Sequence, residues 1–138
     1  MSVSESDPPQ LGLRFSLLAG DFCICKMPSN TELPAWCSVA AALVSITRTT
    51  EELSIVSPQA MVPAGVQAEG GWACLKLDGP FPFQQTGVLA SFLDPLAKNA
   101  IPVFAVSTYD TDYVLVKQET LATTLQALKA AGHQLLAR

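Results

Sequence analysis

Two stretches of this chain hold residues that could recognise a small molecule. The first, DGPFPFQQTGVL at 78–89, reads as a loop joining a strand to a helix, with Thr86 as the expected N-cap and Gly87 after it. The opening N–H groups of such a helix, around Gly87, Val88 and Leu89, have no partner within the helix. They form a ready site for an anion such as a carboxylate, and glycine lets a ligand approach the backbone closely. A capped helix behind a rigid proline loop is the plainer account of the same residues. The second stretch, VSTYDTDYVLVKQ at 106–118, places Asp110 and Asp112 between two apolar runs. One carboxylate there could meet an ammonium or guanidinium group. The alternative is turn chemistry, in which Asp and Thr side chains satisfy nearby backbone groups.

Little else in the chain suggests reactivity. The single histidine, His133, follows Gly132 at an expected helix end and reads as a dipole partner rather than a base. No phosphate-cradling glycine motif, nucleophile–base pair or C-x-x-C spacing occurs, so neither catalysis nor a cofactor or metal is expected. Cys23, Cys25, Cys37 and Cys74 are expected as buried free thiols. With 49% apolar and 14% charged residues the chain is too hydrophobic for disorder. A net charge of −4 without a basic cluster argues against nucleic acid as a partner. No run reaches the length of a membrane helix. The polar start, MSVSESDPPQ, reads as a disordered tail over 1–10 on a cytoplasmic protein.

The elements that must position these residues follow from periodicity. LGLRFSLLA alternates, with Leu11, Leu13, Phe15 and Leu17 on one face, and FCICKM returns after a Gly20–Asp21 turn. One or two helical turns are expected around Trp36, then a strand pair in ALVSITRT and ELSIVS. Pro58 to Gly71 reads as a connector of little regular structure. Beyond it come a strand at WACLKLDG, a helix from Thr86 to about Asn99 containing Pro95, strands at IPVFAVS and DYVLVK, a helix at ETLATTLQALKAAG and a short edge strand. That order is a split βαβ arrangement, α+β and ferredoxin-like. A gapless shift of sixty residues pairs 43–57 with 103–117, setting Leu53 on Tyr113, Ile55 on Leu115, Val56 on Val116 and Glu52 on Asp112. It also brings Leu13, Phe15 and Leu17 near Ala73, Leu75 and Leu77. Two βαββαβ units are expected, at 11–68 and 69–138, the first degenerate in its helices. VFAVS and YVLV are apolar on both faces, so the sheet face away from the helices must meet another sheet or subunit.

SITRTTEELSIVS in the first half and GPFPFQQTGVLASFLDPLAKNAIPVFAVSTYDTDYVLVK in the second resemble the tandem ACT-domain proteins, the group of the CASTOR arginine sensors, and the regulatory ACT domains of aspartate kinases. The resemblance runs over roughly residues 11–132. It implies a non-catalytic regulatory sensor, dimeric, that binds an amino acid between ACT units and acts on a protein target. The implied contacts to the ligand's α-amino and α-carboxyl groups are Pro82, Gln85, Thr86, Gly87, Val88 and Leu89, with Ile101, Pro102 and Val103. Thr108, Tyr109 and Asp112 are the implied contacts to its side chain, Asp112 ahead of Asp110. Gln85 stands where the arginine sensors carry an acidic residue and Pro82 where they carry glycine, while Pro102 lacks an N–H at the strand start. The resemblance therefore implies an amino acid without fixing which one. The alternative is an interaction module whose apolar sheet faces dock a protein and whose loop binds nothing.

Overall fold

Alternating apolar residues become strands throughout residues 12–136, which the computed structural model describes; the expected tail and Leu11 lie outside the described residues. The elements run β1 (Arg14–Leu17), β2 (Phe22–Met27), β3 (Ser45–Arg48), β4 (Leu53–Pro58), β5 (Ala68–Leu77), α1 (Val88–Lys98), β6 (Phe104–Ser107), β7 (Asp112–Lys117), α2 (Leu121–Ala130) and β8 (Gln134–Leu135). Short 3-10 turns sit at Ala35–Ser38, Gln59–Met61 and Gln118–Thr120. The connector expected from Pro58 to Gly71 is more regular than its glycines suggest, because β5 already begins at Ala68. Gly70 and Gly71 lie at a register shift against β2, with Gly71 at φ 76°. They bend the strand as a bulge rather than ending it.

All eight strands form one sheet, and β5 is its hinge. One edge of β5 carries β7 along Trp72–Lys76. Its other edge is divided between β2, at Ala68–Trp72, and β1, at Leu75–Leu77. Two βαββαβ patterns result, and they share β5. The N-terminal one runs β2, 3-10 turn, β3, β4, 3-10 turn and the start of β5, paired in the order β5-β2-β4-β3. The C-terminal one runs from the end of β5 through α1, β6, β7 and α2 to β8. Strand β1 inserts between β5, antiparallel, and β8, parallel.

This topology corrects the expected alignment of the halves. Phe15 and Leu17 are cross-strand partners of Leu77 and Leu75 rather than their repeats. In the hairpins, Arg48 opposite Leu53 matches Ser107 opposite Asp112, a shift of 59 residues. A one-residue slip turns every side chain to the other face of a strand. Leu53 therefore corresponds to Asp112, Ile55 to Val114 and Glu52 to Thr111. Asp112 is not a repeated acidic turn residue.

Alternation sorts the apolar side chains into three layers. Leu13, Phe15, Ala73, Leu75, Leu77, Val114 and Val116 pack beneath α1 and α2 through Val88, Phe92, Leu96 and Leu128. On the opposite face, Phe22, Val56, Trp72, Cys74 and Leu115 form a second cluster, joined by Phe104, Val106 and Tyr113. Both wings of the sheet contribute to that cluster, so the face expected to need a cover is covered in part from within the chain. The outer face of the N-terminal wing holds Cys23, Cys25, Cys37, Leu53 and Ile55 under Trp36 and Val62. All four cysteines are free and buried. Burial, reinforced by neighbouring Cys23, pushes the Cys25 thiol up to about 12, and burial alone does the same to Cys74.

Pro95 does not break α1; it supplies part of a clamp. It has no N–H to give Ser91 O four residues back, and that carbonyl lies 3.0 Å from Nε2 of buried His133. Nδ1 of the same ring accepts the Leu13 N–H at 3.1 Å, so Nε2 carries the proton and donates. His133 thus ties β1 to α1 and is not a partner of its own helix end. Gly132, at φ 94°, supplies the expected left-handed turn after α2.

Candidate functional site

A cleft of about 400 Å³ opens between the loop after β5, the start of α1 and the β6–β7 hairpin. Its walls bring together Pro82, Gln85, Gly87, Val88, Leu89, Thr108, Tyr109 and Asp112 of the expected contacts. Phe81, Phe83, Ala90, Ser107, Asp110 and Thr111 complete it. Thr86 is not among the lining residues. Ile101 is buried in the core beneath the helices. Pro102 and Val103 are exposed just before β6, outside the cleft.

The helix start differs from the expected cap. Gly87, not Thr86, is the N-cap residue; it adopts φ 79°, and no side chain caps the helix. That backbone conformation disfavours any residue with a Cβ. Ser91 N–H closes the first turn on Gly87 O at 2.9 Å, which leaves the N–H groups of Val88, Leu89 and Ala90 without a partner inside the helix. Together with the helix dipole they give this wall of the cleft positive character.

The facing wall is acidic, and backbone contacts hold it in place. Phe81 N–H donates to Asp110 O at 2.9 Å, and Thr111 Oγ1 donates to Leu77 O at 2.7 Å. Gly79 packs so closely that an added Cβ would lie 2.7 Å from Asp110 O. Within the hairpin, Thr108 N–H donates to Thr111 O at 2.8 Å. Ser107 Oγ donates to Asp112 Oδ1 across the β6–β7 pair, fixing one oxygen of that carboxylate. Asp110 is exposed and Asp112 half-buried at the first position of β7. At the rim, Phe83 and Tyr109 meet edge to face with ring centroids 4.8 Å apart, and they remain 72% and 79% exposed.

Cationic and anionic groups of one small molecule would thus meet opposite walls. The arrangement offers no nucleophile paired with a base. Among the described residues no His, Cys, Asp and Glu cluster could hold a metal, and no helix is long and apolar enough to cross a membrane. Phe83 and Ser107 are two of the lining residues that sequence reasoning missed, beside Phe81, Ala90 and Thr111. The first could have been found as an aromatic residue stranded in a proline loop. The second needed the hairpin register.

The fold agrees with what the chain resembles among known proteins. The ACT domain model matches residues 67–130, and a second family model, for an N-terminal domain, matches residues 20–65. Residues 67–130 thus carry an ACT domain, and the chain as a whole has the fold of a tandem ACT-domain protein. It is similar to protein Atu0741 from Agobacterium tumefaciens, with 39% identity over 93% of this chain and 95% of that one, at a TM-score of 0.87. A Vibrio cholerae protein of unknown function, a possible transport protein, superposes at a TM-score of 0.70 with 23% identity over 88% of this chain and 91% of that one. The regulatory subunit of aspartate kinase from Thermus thermophilus shares the fold, at a TM-score of 0.57 and 11% identity over 80% and 91% of the two chains.

Proposed function

We infer that this protein is a non-catalytic, cytoplasmic regulatory sensor that binds a free amino acid in the cleft between α1 and the β6–β7 hairpin. The observation that carries the reading is the pairing of uncapped N–H groups at Val88, Leu89 and Ala90 with Asp110 and Asp112 across one 400 Å³ cleft. The ligand's carboxylate meets the helix start, and a positively charged group meets Asp112. The cleft is open on one side, and its exposed rim of Phe83 and Tyr109 suits closure by a second copy of the chain. Units at 11–68 and 69–138, sharing β5 at their boundary, then assemble as a homodimer with ligand between ACT units. Ligand shifts the assembly toward its closed form by its greater affinity for that form, and a protein target reads the shift.

The exposed aromatic pair also favours a second reading, an interaction module whose rim docks a protein directly and whose cleft takes no ligand. A thermal-shift screen against the twenty amino acids separates the two. A ligand at one hundred times its dissociation constant adds about 2.7 kcal/mol to stability. The sensor reading expects a shift with at least one amino acid. No shift with any of them would favour the interaction module.

A further inference from the structure

At the place in the N-terminal wing that corresponds to the cleft, an exposed side chain, Arg48, bridges the hairpin and the loop after β2. The loop after β2 corresponds to the loop after β5, and the end of β3 to the end of β6. Both hairpins close identically: Thr49 N–H donates to Glu52 O at 2.9 Å as Thr108 N–H does to Thr111 O at 2.8 Å. Arg48 therefore stands where Ser107 lines the C-terminal cleft. Its guanidinium reaches back from the hairpin to the loop after β2, Nη1 donating to Ser29 O and Nη2 to Thr31 O at 2.8 Å. The acceptors are held ready by their own turn, in which the Thr31 N–H and Oγ1 both donate to Pro28 O, at 3.0 and 2.7 Å. On the C-terminal side a backbone bond, Phe81 N–H to Asp110 O, joins the corresponding walls and leaves the cleft between them open.

We propose that Arg48 is a resident ligand: its guanidinium fills the N-terminal counterpart of the cleft, and removing it exposes a site for a planar cation. Two carbonyl oxygens spaced for the two arms of one guanidinium select that group over a compact ammonium. A corollary is that each chain offers one ligand cleft rather than two. The proposal draws on the reading of the C-terminal cleft only in treating the two places as counterparts, so the two can fail separately.

The test is chemical rescue of Arg48→Ala by N-propylguanidinium at millimolar concentration, far below its denaturing range, with melting temperature as the readout. The variant should melt several degrees below the parent, and the probe should return most of that loss saturably. The parent protein should not respond, because its own side chain fills the site. The same rescue in Arg48→Ala/Asp112→Asn shows that the probe is not acting through the C-terminal cleft. Should Arg48→Ala fail to fold, Arg48→Gln retains part of the contact and takes its place. Absence of rescue, an equal response in the parent, or rescue lost with Asp112→Asn would each overturn the proposal, whatever the amino-acid screen shows.

Discussion

The two wings of the sheet share a strand order and a hairpin turn, yet only one presents a helix end to a cleft. The difference lies in the chain between the first two strands of each unit: 17 residues separate Met27 from Ser45, and 26 separate Leu77 from Phe104. The longer connection accommodates an eleven-residue helix and the loop before it. The shorter one manages a single 3-10 turn at Ala35–Ser38, too short to build a dipole or a row of open N–H groups. Arg48 instead bridges the hairpin and the loop after β2. The comparison teaches that connector length decides which copy of the unit can set a helix start against its hairpin.

The sharpest way to break that comparison is to remove the helix layer. Phe92, on the inner face of α1, is fully buried and meets Phe15 edge to face at 5.3 Å. Phe92→Ala should cost about 3–5 kcal/mol in chemical denaturation. Because β5 belongs to both wings, the loss should appear as one transition rather than as early melting of the C-terminal wing alone. Trp36→Ala, at a half-buried position under the thin N-terminal layer, should cost clearly less. His133→Ala removes both ends of the β1–α1 clamp and leaves the Leu13 N–H without its acceptor. It should cost about 1–3 kcal/mol.

High pH probes the two wings through their thiols. Unfolded cysteine ionises near 9.0, while Cys25 and Cys74 hold their protons to about 12 in the fold. Above pH 9 the unfolded chain therefore binds fewer protons than the native one, and stability falls progressively as pH rises toward 12. Cys25→Ala and Cys74→Ala should each flatten that fall in denaturation measured across the window. The smallest expected effect is the most discriminating. Thr49→Ala and Thr108→Ala remove matched turn hydroxyls and should lower stability about equally, by about 1 kcal/mol. Only Thr108→Ala should also weaken ligand binding.

Most of the C-terminal unit was legible because its signals are local. Leu75 and Leu77 alternate, Leu121, Leu125 and Leu128 share a helix stripe, and Gly132 ends it. The N-terminal unit was harder to read, since its outer layer is loop and 3-10 turn without periodicity. The repeat was visible, but a gapless shift could not reveal the one-residue difference that decides which face Asp112 takes. Nor could alternation show that β1 crosses into the C-terminal wing, because Leu13, Phe15 and Leu17 fit either sheet equally well. In the cleft, the glycine start and the acidic hairpin were readable from residue types. The exclusion of Ile101, Pro102 and Val103 depends on where α1 ends and which way the chain leaves it. Ala100, at φ 55°, turns it so that Ile101 enters the core.

Amide chemical shifts during titration with the amino acid that most raises the melting temperature test the central claim most directly. Binding in the C-terminal cleft predicts saturable changes at Gly87, Val88, Leu89 and Ala90 together with Thr108 to Asp112, and none at Ser29 to Thr31. Saturable changes confined to other residues, or a helix start that no amino acid perturbs, would contradict it.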